Sequence, residues 1–180
     1  MNNTIRAILV FSLLAATTLL GGVAAAQTEA PPPAHLSLHA SALQVKLIGA
    51  DGGVKLPVEF QMSMYENMIQ QITKVNRFEH IYREGDHTAD AASDLVTLES
   101  TVTGFKKGSA EARQVTTVAG QTAIAVHLKF TDKSGKVLLE TDVKGKVMFF
   151  GENMRATYDF GKKVAKVVKE NFVAPKPAHM

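Results

Sequence analysis

The chain has 180 residues, a formal net charge of +3, and neither cysteine nor tryptophan. Without cysteine there is no disulfide framework, no thiol nucleophile, no Cys-ligated metal and no lipoprotein acyl anchor, which is built on a cysteine. The positive charge is a small excess of Lys, which favours solubility and gives no reason to expect nucleic acid as a partner.

Met1 to Ala26 has the pattern of a secretory signal peptide. Arg6 supplies a positive start, Ala7 to Leu20 is an uncharged run, Gly21-Gly22 interrupts it, and Ala24-Ala25-Ala26 has the small residues of a cleavage site. The run is shorter than the ~20 apolar residues a membrane-spanning helix needs. Cleavage after Ala26 and a periplasmic destination are therefore expected, with no stable membrane insertion after cleavage. Residues 27–35 form a Pro-rich linker around Pro31-Pro32-Pro33, which favours extended polyproline II. A single domain is expected over residues 36–173. Residues 174–180, with Pro175 and Pro177, read as a flexible tail.

Leu36 to Ile48 reads as a strand whose alternation slips near Ala40-Ser41-Ala42, the mark of a bulge or bend. Gly49 to Gly53 (GADGG) reads as a turn, and it fails the spacing of a phosphate-binding loop. Pro57 then opens an amphipathic helix whose stripe is Phe60, Met64, Met68, Ile72 and Val75, widened by Tyr65 and Ile69. Asn76-Arg77 ends it. Phe78 to Tyr82 reads as a short strand and Arg83 to Ser93 as a polar loop.

Asp94 to Phe105 alternates as a strand, with Val96, Leu98 and Val102 on one face and Thr97, Glu99, Thr101 and Thr103 on the other. A long hairpin follows. Ile124, Val126, Leu128 and Phe130 point inward, Asp132-Lys133-Ser134-Gly135 makes the turn, and Val137, Leu139, Val143 and Val147 return inward. A final helix spans about Glu152 to Phe172, with Met154, Tyr158, Gly161, Ala165, Val168 and Phe172 as its apolar stripe. The expected fold is α+β: a mainly antiparallel, mixed sheet of about five strands with two helices on one face, in the order β-α-β-β-β-β-α.

Ala92-Ser93-Asp94-Leu95-Val96 at a strand start, the Gly108 loop leading to Arg113, Gly120, and Asp132 followed by Ser134-Gly135-Lys136-Val137-Leu138 occur together over roughly residues 40–172. This set resembles the bacterial family catalogued as domain of unknown function 4410. The element order also looks like the small α+β domain of the TolB N-terminal and curli-secretion-lipoprotein type. That resemblance implies a docking role in the cell envelope and carries over no catalytic residue.

Several groups invite a chemical reading. His80, Glu84, Asp86 and His87 bring two imidazoles and two carboxylates within eight residues, donors of the kind zinc accepts. Their spacing matches no named zinc motif, and His80 shares a parity with the apolar Phe78 and Tyr82. A solvated polar loop therefore outweighs a metal site. Glu79 with Glu84, or Asp86 with Asp90, is a carboxylate pair with nothing to set its separation. Arg113 suits bidentate binding of a carboxylate, though a structural ion pair with Glu99, Glu111 or Asp132 outweighs it. Met62 lies off the stripe of its helix, where it is a possible contact.

The expected function is that of a non-enzymatic periplasmic interaction module. It would dock on an envelope protein through a sheet edge or through the polar face of the hairpin, where Thr101 and His127 lie. The alternatives are a small metal-dependent hydrolase and a small-ligand-binding protein. No cofactor is expected.

Overall fold

The computed structural model describes residues 36–109, 120–147 and 154–175. Its elements are β1 (Ala42–Val45), β2 (Gly49–Ala50), α1 (Val58–Val75), β3 (His80–Arg83), β4 (Leu95–Lys106), β5 (Thr122–Asp132), β6 (Val137–Val147) and α2 (Arg155–Asn171), with a 3-10 turn over His87–Ala91. The expected α+β class holds, and the element order differs from expectation only by the added short strand β2 before α1. The sheet runs β3-β1-β4-β5-β6, and β2 pairs with β4 in line beyond β1. The β1–β3, β1–β4 and β2–β4 ladders are parallel; β4–β5 and β5–β6 are the longer, antiparallel ones.

Parallel pairing of β1 with β3 requires a crossover, and α1 is that crossover. Its N-terminus sits at Pro57, which fixes φ at −61° where no N–H partner is needed. Its C-terminus is Asn76 in the left-handed conformation, one of the few non-glycine residues that accept it. Phe60, Met64, Tyr65, Met68 and Ile72 are buried as their spacing predicts. They meet one face of the sheet, which carries Leu43, Val45, Leu98, Val102, Ile124, Val126 and Leu128, together with Phe160, Val164 and Val168 of α2. Both helices therefore lie on one side of the sheet. A small second cluster of Ala42, Ala89 and Leu95 closes the start of the sheet on the other side, under the 3-10 turn.

The first strand is shorter than its sequence suggests. Leu38 makes an isolated bridge to Phe172, Ser41 is a bend, and only Ala42–Val45 is strand. The expected slip at Ala40-Ser41-Ala42 is this bend. The GADGG turn begins instead with β2, because β4 runs on past Leu98 and offers its edge; Asp51 N–H donates to Val102 O at 3.0 Å. The short strand expected at Phe78–Tyr82 is displaced to His80–Arg83.

Two bulges reset side-chain parity. Between Val102 and Gly104 the β4–β5 register shifts, so Phe105 pairs with inward Ile124 and its ring meets Phe60 edge-on at 4.9 Å. Between Phe130 and Thr131 the β5–β6 register shifts, so Val137 lies opposite outward Thr131 and is 43% exposed. The expectation that Val137 faces inward is thus corrected: Leu138 is the extra residue, and one extra residue reverses the alternation. The Val147 side chain lies outside those described.

The stripe of α2 also differs from expectation. Phe160 and Val164 are fully buried, whereas Tyr158 is exposed. The helix approaches two surfaces, the sheet and α1, so its buried arc is wider and rotated relative to a single stripe. Gly161 lies where α1 comes closest: a Cβ there would be 2.7 Å from Asn67 O. Beside it, Ser63 and Asn67 of α1 hydrogen-bond the buried Thr157 hydroxyl at 2.9 Å each.

Candidate docking surface

The four residues weighed as metal ligands are dispersed. His80 is exposed at the start of β3 and stacks on Tyr82 at 6.0 Å, which corrects the suggestion that it shares the core parity of Phe78. Phe78 precedes the strand, so the alternation does not connect them. Glu84 accepts from Leu47 N–H at 2.7 Å and pairs with Lys46 at 3.7 Å. Asp86 caps the 3-10 turn, accepting from the Thr88 N–H at 3.0 Å and the Thr88 hydroxyl at 2.6 Å; these bonds hold its carboxyl below the ordinary value. His87 opens that turn and is exposed. Among the described residues no group of three or more His, Asp or Glu side chains is placed to hold a metal ion. Arg113 lies outside the described residues.

Thr101 and His127 are brought together. They are direct partners in the β4–β5 ladder, and His127 in turn faces Asp142 of β6. His127 Nδ1 is 2.9 Å from Asp142 Oδ1, and Nε2 is 3.9 Å from Glu140 Oε1. One row over, Lys129 is 3.7 Å from Glu99. The outer face of the hairpin is therefore a charged, water-facing surface, as an antiparallel sheet with one packed face permits.

Sequence reasoning missed the feature beside it. Among the described residues β6 is an edge strand, eleven residues long. Lys146 N–H donates to Asp159 Oδ2 at 2.9 Å, and Lys144 C=O accepts from Lys163 Nζ at 2.6 Å. The even-numbered residues of β6 thus turn their backbone groups away from β5. Asp159 and Lys163, themselves ion-paired at 2.7 Å, cover the far half of that edge. The outward N–H and C=O of Glu140 and Asp142 have no protein partner among the described residues. A groove of about 650 Å³ runs alongside, walled by Asp142, Lys144 and Lys146 on β6 and by Lys163, Lys166 and Glu170 on α2. The signal in the sequence was the period-two charge run Glu140, Asp142, Lys144, Lys146, legible as an edge only once the strand order is known.

At the opposite end of the sheet, Asp94 joins the bend before β1 to the start of β4. It accepts from Ser41 N–H at 2.8 Å and from the Ser41 hydroxyl. Above all the hydroxyl bond holds its carboxyl below the ordinary value. A depressed carboxylate stabilises the fold above its unfolded pKa and loses that contribution as pH falls through the folded value, so the effect begins to fade below about pH 4 and is gone only below the lowered folded value. Asp94→Asn is expected to cost about 1 kcal/mol at pH 7, in the lower range for charged hydrogen bonds because the group is exposed. Urea denaturation at pH 7 and pH 3 checks this: the difference between variant and parent shrinks at the lower pH.

No family model matches the sequence, and no curated protein matches it. Among solved structures the chain is similar to the PelC dodecamer of Paraburkholderia phytofirmans, with 11% identity over 78% of this chain and 96% of that one and a TM-score of 0.55. It is similar to a point variant of the same PelC, also a dodecamer, with 12% identity over 76% and 91% and a TM-score of 0.54. A Xanthomonas campestris protein of the family of unknown function 330 aligns with 11% identity over 78% and 85% and a TM-score of 0.46. At these identities the likeness to PelC is one of fold.

Proposed function

We propose that this chain, which shares its fold with a protein that assembles as a dodecamer, is an exported, non-enzymatic docking module of the bacterial cell envelope. The observation that carries the reading is the open stretch of β6, where the backbone groups of Glu140 and Asp142 have no partner among the described residues and a groove of about 650 Å³ runs alongside. An added strand satisfies such groups through main-chain bonds and takes its specificity from side chains at the rim, here His127, Lys144 and Lys146. The signal-like first 26 residues favour a periplasmic setting, with the mature chain starting at Gln27.

The catalytic alternative has less support. Glu84 and Asp86 already serve backbone N–H groups, and His80 and His87 sit on separate elements.

Cross-linking in intact cells followed by mass spectrometry tests the reading. The mature protein is expected to cross-link to itself or to a defined envelope protein. Asp142→Pro is expected to reduce that signal at least tenfold, because proline removes the outward N–H without taking a donor from the β5 ladder. Asp142→Pro with undiminished cross-links would remove β6 from the reading. Recovery of the protein in the cytosol with Met1 to Ala26 attached would overturn its periplasmic part.

A further inference from the structure

The charges along the open edge of β6 have an order that a strand of the same sequence can read. From Glu140 to Lys146 the outer-face residues are Glu140, Asp142, Lys144 and Lys146, two acids then two bases, with Val143 at the midpoint. The backbone groups of these same residues point away from β5. We propose that β6 pairs antiparallel with β6 of a second copy of this chain, about a two-fold axis at Val143. This rests on the docking reading above and names its partner.

In that register Glu140 faces Lys146 of the second copy and Asp142 faces Lys144 of the second copy. The two-fold axis repeats both pairs, so every outer-face charge in the segment meets its opposite. Neighbouring registers fail. An axis at Asp142 or Lys144 sets that residue against itself, an axis at Thr141 opposes Glu140 to Asp142, and an axis at Gly145 opposes Lys144 to Lys146. Directly opposed like charges destabilise a strand pair, and opposite charges support it. A two-fold contact made by one self-complementary patch is also the commonest form of a homodimer.

Among the described residues, the half of the edge at Glu140 and Asp142 is uncovered. Asp159 and Lys163 reach over from α2 to hold Lys146 N–H and Lys144 C=O. The two form a half-buried ion pair held by side chains alone, which a second strand would have to displace before taking over their two backbone partners. The groove between β6 and α2 is where that strand lies. The α2 pair thus competes with association, and removing it should strengthen the dimer.

Sedimentation velocity on the mature protein, with two charge-reversed variants, tests the proposal. The parent is expected to dimerise reversibly at concentrations on the order of 100 µM, as suits a contact of small area. Lys144→Glu/Lys146→Glu alone and Glu140→Lys/Asp142→Lys alone should each dimerise at least about tenfold more weakly, since every pair in the register becomes repulsive. Mixed one to one, the two variants should form a heterodimer at least as tight as the parent homodimer, because every pair becomes attractive again. Asp159→Ala/Lys163→Ala should tighten the parent association. Circular dichroism confirms that each variant is folded.

Two results overturn the proposal: variants that stay monomeric when mixed, or single-variant dimers as strong as the parent. A parent that is monomeric up to about 1 mM overturns it as well. If Asp142→Pro nevertheless abolishes envelope cross-links in that case, self-pairing falls while docking of another protein on the same edge stands.

Discussion

Phe130→Ala is expected to lower stability by about 4 kcal/mol, within the range for removing a fully buried phenylalanine. Phe130 has no exposed surface and lies in β5, held on both sides by β4 and β6. Its ring is 5.4 Å from Phe172, which is in turn 5.1 Å from Phe78. These three rings join the middle of the sheet to the end of α2 and to the segment after α1. Phe172 is further fixed by its N–H bond to Val168 O at 2.9 Å, and its neighbours by bonds between Leu38 and Asn171 and between Val173 and Leu38. Few groups around the vacated ring can move inward, so the cavity term adds to the lost transfer energy. Urea denaturation should show a lower midpoint with an unchanged slope, and the melting temperature should fall by about 10–15 °C. A loss under about 1 kcal/mol would mean that this part of the core collapses freely and is not packed as described.

Gly145→Val is expected to destabilise by about 3 kcal/mol, although valine is the better strand residue. Strand preference alone favours valine by up to ~1 kcal/mol. At this position it is overruled by contact. A Cβ on residue 145 would lie 2.4 Å from Ala156 O and 2.8 Å from Phe160 Cβ. One obstacle is backbone and the other is the root of a buried side chain, so neither can turn aside. The helix must lift from the strand, which weakens the Lys163–Lys144 and Asp159–Lys146 contacts that depend on its height. Thermal denaturation measures the loss, and hydrogen exchange at the Lys146 amide reports the lifting: the amide should exchange faster in the variant than global stability alone predicts. A variant as stable as the parent would show that α2 does not press on β6.

The contrast between these positions shows where sequence reading succeeds. Phe130 follows from alternation with Ile124, Val126 and Leu128, because a strand with one packed face repeats every two residues whatever its neighbours are. The stripe of α1 follows likewise from its 3.6-residue period, and its end from Asn76. The hairpin turn was legible in Asp132, whose carboxylate accepts from Ser134 N–H at 2.8 Å and Lys136 N–H at 3.0 Å. Gly145 carries no such local signal. Its need for a missing side chain comes from α2, ten residues further on.

Of the candidate residues, Thr101 and His127 were placed on one polar face by parity alone, and they are ladder partners there. The grouping of His80, Glu84, Asp86 and His87 rested on closeness in sequence, and the strand and the 3-10 turn separate them, since each element aims its side chains by its own geometry.

By itself the sequence determined the amphipathic elements, the α+β class and the single-sided core, because each depends on a local period and on burial of apolar surface. Only the tertiary structure decided the strand order, the two bulges, the rotation of α2 toward Phe160 and Val164, and the edge position of β6. Those depend on which backbone groups find partners far along the chain. The charge run Glu140 to Lys146 is readable in the sequence from the start; that it lies along a sheet edge follows only from the strand order, in which β6 has β5 as its one neighbour among the described residues.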